Sequence, residues 1–159
     1  IDTSLLKQRD PEVLAQIVTG CVRFKADIVA KDEREAGPRE MLNLGHTFAH
    51  AIELVAGFGT IPHGVAVAAG IGEALRIARR EGLLKDRDLP ERTARLAERL
   101  GLPKNTGDLR AASGLELPEE LLVTAMAGDK KNRAGELRLV IPKALGEVAM
   151  DVHVDPFST

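Results

Sequence analysis

The sequence predicts a mainly α-helical domain closed by a small C-terminal β-hairpin. Three observations carry this reading. Apolar residues recur at helical spacing through most of the first 130 positions. Pro and Gly punctuate those stretches where helices start and stop. Near the end the period changes from helical to alternating, on both sides of a Pro- and Gly-containing loop.

The first long helix begins at Asp10-Pro11, a capping side chain followed by a first-turn proline. Leu14, Val18, Cys21 and Ile28 form its apolar stripe, and Lys25 falls on the same stripe. The charged run Lys31-Asp32-Glu33-Arg34-Glu35 leads to a break at Gly37-Pro38. A second helix is predicted from about Pro38 to Gly57, and Gly57 to Pro62 reads as a turn. A third helix runs from about Gly64 to Arg80, stopping at Gly82. A fourth, amphipathic one runs from Pro90 to Leu100, with Gly101 as its stop. Leu109 to Leu117 is ambiguous, and Pro118 to Ala127 reads as another helix. Glu136 to Ile141 and Glu147 to Val154 read as hairpin strands, with Val148, Met150, Val152 and Val154 on one face.

Bulk composition narrows the function. The 159 residues suit one domain, and 44% hydrophobic with 29% charged residues is ordinary globular usage. A net charge of -2 gives no electrostatic pull on nucleic acid or an anionic membrane. Aromatics are 3%, with no Trp or Tyr for stacking on bases. The apolar run Val65 to Ile71 is too short for a bilayer span. A lone cysteine, Cys21, excludes an intramolecular disulfide and is expected to be a small core residue. With no basic-then-apolar leader at the opening, a reducing cytoplasmic compartment is expected. Ile1 in place of an initiator Met suggests a processed chain or part of a longer one.

The second predicted helix holds the chemistry. In REMLNLGHTFAHAIELVAG, Met41, Leu44, Phe48, Ile52 and Val55 make one apolar face. Arg39, Asn43, His46, His50 and Glu53 recur on the other. A polar face is by default a solvated face, but solvated faces favour Lys and Glu, whereas this one offers Asn and two His. His46 and His50, at i and i+4, project the same way, the geometry by which one helix gives two imidazoles to one site. His63 follows a short return turn and can come back beside them. A His-plus-carboxylate set suits zinc and similar divalent ions. Lys25, Arg39, Lys130 and Lys131 are candidate holders of an anionic substrate; Lys130 and Lys131 sit in a Gly-Asp-Lys-Lys-Asn loop that reads equally as a solvated turn. Lys25 reads equally as a snorkelling side chain, and Glu35 as an acid-base group or an ion-pair partner. His153 lies on the polar side of the last strand. No Gly-rich dinucleotide fingerprint and no Walker-type loop is present.

Taken together, Lys25-Ala26, Asp32-Glu33-Arg34-Glu35, Leu42-Asn43-Leu44-Gly45-His46-Thr47, His50-Ala51-Ile52-Glu53 and His63-Gly64 with Ala66-Val67 resemble the 3-dehydroquinate synthases. Asp129-Lys130-Lys131 and Val140-Ile141-Pro142 resemble that family's tail. The resemblance implies a two-domain enzyme whose N-terminal NAD-binding domain is absent from this chain. The whole of 1–159 would then be its helical metal- and substrate-binding domain. It implies His46 and His63 as ligands of zinc or cobalt, and His50, Glu35 and Lys25 as the catalytic group. Arg39, Asn43 and Lys130 or Lys131 are implied to bind a phosphorylated sugar acid. The implied reaction converts 3-deoxy-D-arabino-heptulosonate 7-phosphate to 3-dehydroquinate and phosphate, within the shikimate pathway, in a homodimer. Two positions depart from the family pattern: Val65 stands where Glu is usual, and Ala49 where Gly is common. The family's third zinc ligand, a Glu, would precede Ile1, so the isolated chain is expected to bind zinc poorly and to be inactive. Two other readings stay open, a sister sugar phosphate cyclase and a non-catalytic helical module.

Overall fold

The computed structural model describes residues 2–34, 37–128 and 137–154. Its contacts group into two compact units, Ile1–Leu42 and Asn43–Thr159.

In the first unit a short helix, α1 (Thr3–Lys7), precedes the long α2 (Pro11–Lys31). α2 starts where the sequence predicts. Asp10 Oδ1 accepts from the backbone N–H groups of Glu12 at 3.1 Å and Val13 at 3.0 Å, and Pro11 occupies the first turn. Those donors lack partners inside a helix, so the cap defines its first turn. The predicted apolar stripe is not a buried one. Ile28 is the one buried residue of α2; Val18 is 57% exposed and Cys21 is exposed. The expectation of Cys21 as a core residue is therefore corrected, because helical spacing selects a face without supplying anything to cover it. After Lys31 the carboxylate of Asp32 accepts from Gly37 N at 2.8 Å and Arg39 N at 3.0 Å, which ties down the break.

The predicted second helix is two pieces. A 3-10 segment spans Pro38–Asn43, and α3 (His46–Ala56) begins after Gly45. Gly45 has φ of 77°, a left-handed conformation that ends one piece and turns the chain into the next. A Cβ there would also stand 2.8 Å from Ile71 N and 2.9 Å from Val67 O. Ile71 and Val67 lie on α4 (His63–Arg80), which crosses α3 closely at this point. Gly70 makes the crossing from the other side, since a Cβ on it would collide with the carbonyl oxygen of Gly45.

Three further helices follow: α5 (Leu89–Leu100), α6 (Thr106–Ser113) and α7 (Glu119–Ala127). α5 ends at Gly101 in the left-handed conformation, as the stop signal predicts. α6 resolves the ambiguous stretch. Asn105 caps it by accepting from Asp108 N at 2.8 Å, a cap pattern visible in the sequence. α3 packs on α4 and α7, and α4 packs on α5, α6 and the first strand. The shared core is built from small residues on α3 and α4 (Ala49, Ala66, Ala69, Ala78) and large ones such as Ile52, Leu117, Leu137 and Ile141. Small residues at the crossing let the helices approach; the larger ones fill the space around it.

The hairpin, β1 (Leu137–Ala144) and β2 (Glu147–Val154), is antiparallel. β1 runs three residues beyond its predicted end, so the connection is only Leu145-Gly146. The register shifts between Leu139↔Val152 and Ile141↔Ala149. Asp151, at φ of 55°, lies in that irregularity. The single face predicted for Val148, Met150, Val152 and Val154 is therefore broken. Val152 and Val154 lie opposite the buried Leu139 and Leu137, whereas Met150 is 38% exposed. No helix among the described residues is long and apolar enough to cross a membrane.

Candidate metal and substrate site

Gly45 determines where α3 begins, and His46 is its first residue. One turn on, His50 projects from the same face, with ring centroids 5.8 Å apart and the rings edge to face. Glu53 lies a further turn along. The chain then reverses through 57–62, and Pro62, with φ of -58°, leads into α4 at His63. That return brings the third imidazole beside the first two. His63 lies 5.2 Å from His46 and 6.1 Å from His50, centroid to centroid. The three histidines of the predicted site are thus one cluster at the α3–α4 junction.

A metal-ligating imidazole needs one nitrogen bare, and its other nitrogen is ordinarily held by an acceptor. His46 Nδ1 lies 3.2 Å from the carbonyl oxygen of Leu44. A carbonyl only accepts, so Nδ1 carries the proton and Nε2 keeps its lone pair. His63 Nδ1 lies 3.0 Å from Glu53 Oε1, and a carboxylate acceptor selects the same tautomer. Burial of His46 lowers its pKa, and the neighbouring His63 and His50 lower it further, against the opposing pull of the Leu44 carbonyl and Glu53. The ring is therefore kept neutral near pH 7, the form that binds a metal.

The spacing discriminates among the three rings. Two imidazoles sharing a tetrahedral metal through nitrogens at ~2.0–2.1 Å have centroids roughly 5 Å apart. His46 and His63 meet that separation at 5.2 Å; both distances from His50 are longer. Among the described residues, no three His, Cys, Asp or Glu are already gathered around one metal position. Two imidazoles at this separation can share a divalent ion, and two donors alone do not complete its coordination.

The other predicted site residues divide between the units. Asn43 opens the second unit, three residues before His46, and is half-buried. Lys25 and Arg39 belong to the first unit. Lys25 is exposed on α2, and the Arg39 guanidinium donates to the Glu33 carbonyl at 2.9 Å. Glu35, Lys130 and Lys131 lie outside the described residues. His153 is exposed, as expected. Ala49 and Val65, the two departures from the family pattern, serve packing: Ala49 is fully buried and Val65 lies against the core. Glu53 was visible only as one more polar residue on a stripe; its link to His63 depends on the return of the chain.

A cavity of about 300 Å³ lies away from the histidines, between α4, α7 and the hairpin, over Phe48, Ile77, Leu122 and Met126. Of the three arginines that line it, Arg76 pairs with Glu73 at 2.8 Å and Arg80 with Glu81 at 2.8 Å. Its wall mixes apolar side chains with Glu73, Thr106, Arg110 and Glu119, and no histidine lines it.

Comparison with known proteins gives the family. Residues 2–132 match the family described as 3-dehydroquinate synthase C-terminal. The 3-dehydroquinate synthase of Halorhodospira halophila (strain DSM 244 / SL1) is 46% identical over 151 residues, covering 95% of this chain and 40% of that protein. The 3-dehydroquinate synthase of Methylococcus capsulatus (strain ATCC 33009 / NCIMB 11132 / Bath) is 47% identical over 150 residues, covering 94% and 40%. The chain thus spans about 40% of the length of these curated relatives. Among solved structures, a 2-deoxy-scyllo-inosose synthase complexed with carbaglucose-6-phosphate, NAD+ and Co2+ superposes with a TM-score of 0.71 at 26% identity. It covers 88% of this chain and 37% of that one. ValA, the 2-epi-5-epi-valiolone synthase of Streptomyces hygroscopicus subsp. jinggangensis 5008 with NAD+ and Zn2+ bound, superposes with a TM-score of 0.75 at 23% identity. It covers 97% of this chain and 40% of that one, and shows the shared fold.

Proposed function

The chain belongs to the 3-dehydroquinate synthase C-terminal family, and from that premise we propose that it forms the metal- and substrate-holding part of a 3-dehydroquinate synthase. The protein would convert 3-deoxy-D-arabino-heptulosonate 7-phosphate to 3-dehydroquinate and phosphate, acting as a carbon-oxygen lyase in a cytoplasmic homodimer. The observation that carries the reading is the His46–His63 pair, 5.2 Å apart, each ring with Nδ1 on an acceptor.

When bound, NAD would supply hydride chemistry at a ring alcohol, and zinc or cobalt would supply polarisation of that alcohol. His46 and His63 would hold the metal through Nε2. His50, beside both and exposed, is positioned to exchange a proton with substrate or solvent. Glu35 and Lys25 are assigned to the same acid-base group. Arg39 and Asn43 would bind the substrate's carboxylate and hydroxyls, and Lys130 or Lys131 its phosphate. Holding one pose through successive steps is the main task of these groups. The NAD-binding domain and the remaining metal ligand would come from sequence outside this chain, so the isolated chain is proposed to be inactive.

The test is phosphate release by the complete encoded protein with the heptulosonate phosphate, NAD and metal. Release that requires both cofactors and falls at least about a hundredfold in His46→Ala is expected. The likeness to 2-deoxy-scyllo-inosose synthase favours one second reading, a sister cyclase. Turnover of a sugar phosphate lacking the carboxylate, in place of the heptulosonate phosphate, would establish that reading instead.

A further inference from the structure

We propose that Glu53 is a positioning residue of the metal site: its carboxylate accepts the Nδ1 proton of His63 and thereby presents Nε2 of that ring to the metal. The proposal rests on the metal reading given under Proposed function.

The two histidines are held by different kinds of group. His46 is oriented by the carbonyl of Leu44, a backbone acceptor two residues away on its own chain segment. No side-chain substitution removes that acceptor. His63 is oriented by Glu53, ten residues earlier and on another helix, at 3.0 Å. The side chains also differ in freedom. Glu53 is 13% exposed in the last turn of α3, whereas His63 is 51% exposed at the first residue of α4. An exposed imidazole at a helix start can rotate, and a half-turn of its ring puts Cδ2 in the place of Nδ1 and Cε1 in the place of Nε2, which takes the ligating nitrogen off the metal. The Glu53 contact selects one orientation and one tautomer, the arrangement in which a carboxylate steers a ligating histidine from behind. Its position follows from the fold. α3 and α4 are locked at the Gly45–Gly70 crossing, and the 57–62 turn fixes where α4 begins.

A surface ion pair between α3 and α4 would have the same geometry, and so would a carboxylate that itself ligates metal. The three roles separate on substitution. Glu53→Gln keeps an acceptor oxygen of the same reach; Glu53→Ala removes it. Co2+ is titrated into the complete encoded protein against a chelator of known affinity, and the visible absorption of the bound ion is recorded. A positioning role predicts that Glu53→Ala weakens Co2+ binding roughly ten- to hundredfold. Glu53→Gln retains most of the affinity and the wild-type Co2+ spectrum, and metal-free melting temperatures stay close to wild type.

Wild-type affinity in Glu53→Ala would overturn the proposal in favour of a plain ion pair. Equal loss in both variants, with an altered Co2+ spectrum in Glu53→Gln, would overturn it in favour of direct ligation. Should Glu53→Ala misfold, Glu53→Met, which keeps the side-chain volume without the acceptor, takes its place in the same comparison. His46→Ala and His63→Ala run in parallel. If both bind Co2+ as wild type does, the metal reading itself fails, a result distinct from any outcome at Glu53.

Discussion

α2 and α4 are the two longest helices, at 21 and 18 residues, and they are held in opposite ways. α2 buries Ile28 alone, and its Val18, Val22 and Phe24 are each more than half exposed. Its definition comes from its ends: the Asp10 cap, Pro11 and Glu12 in the first turn, and Lys31 in the last. α4 has no side-chain cap at its start, yet it buries seven residues, among them Ala66, Ala69, Gly70 and Ala78. Its order is tertiary, supplied by α3, α5, α6 and β1. The lesson concerns where chemistry can be placed. The imidazole cluster lies at the junction of the tertiary-held pair, where backbone positions are set on several sides.

The same substitution should therefore have opposite signs in the two helices. Gly70→Ala puts a methyl group into the Gly45 carbonyl and close to the Phe48 Cβ. Neither neighbour is the end of a flexible chain, so we expect a loss of about 4 kcal/mol in urea unfolding. Gly20→Ala, in α2, meets nothing within 4 Å. There the only change is helix propensity, and a gain of up to about 1 kcal/mol is expected. If both variants lost stability alike, the contrast between the helices would collapse. Next in size is Ile52→Ala. Ile52 is 1% exposed in the core beneath the histidine face. The cavity left by truncation is expected to cost about 3 kcal/mol by the same measurement.

The contrast also explains what could be read in advance. Helix ends carry local signals, so Asp10-Pro11 and Gly101 marked their helices and the span of α4 was predicted nearly to the residue. Gly45 was not legible as a break. An isolated glycine in a helical pattern is usually tolerated, and this one turns because Val67, Gly70 and Ile71, more than twenty positions later, press against it. The three histidines could be named from spacing because two share a helix face and the third follows a short turn. Glu53 was on the same stripe, but its pairing with His63 exists only once the chain has returned. Cys21 and Val18 show the converse limit. Periodicity identified their face without revealing that the described structure leaves it uncovered. Met150 left its predicted face because of an added residue in β2, which an alternating pattern does not record.

The smallest effect sharpens the comparison most finely. Asp10→Ala removes the acceptor for Glu12 N and Val13 N, which have no carbonyl partner in the helix they begin. We expect a loss of about 1 kcal/mol, confined to α2. In native-state hydrogen exchange, amides in the first turns of α2 should then lose protection by roughly fivefold, since that free energy corresponds to such a ratio. Amides in the middle of α4 should keep theirs. Asp10→Asn, which retains an acceptor oxygen, should restore most of the difference. Equal loss of protection in both helices would mean that they open together, and that the end-held helix shares the cooperativity of the packed one.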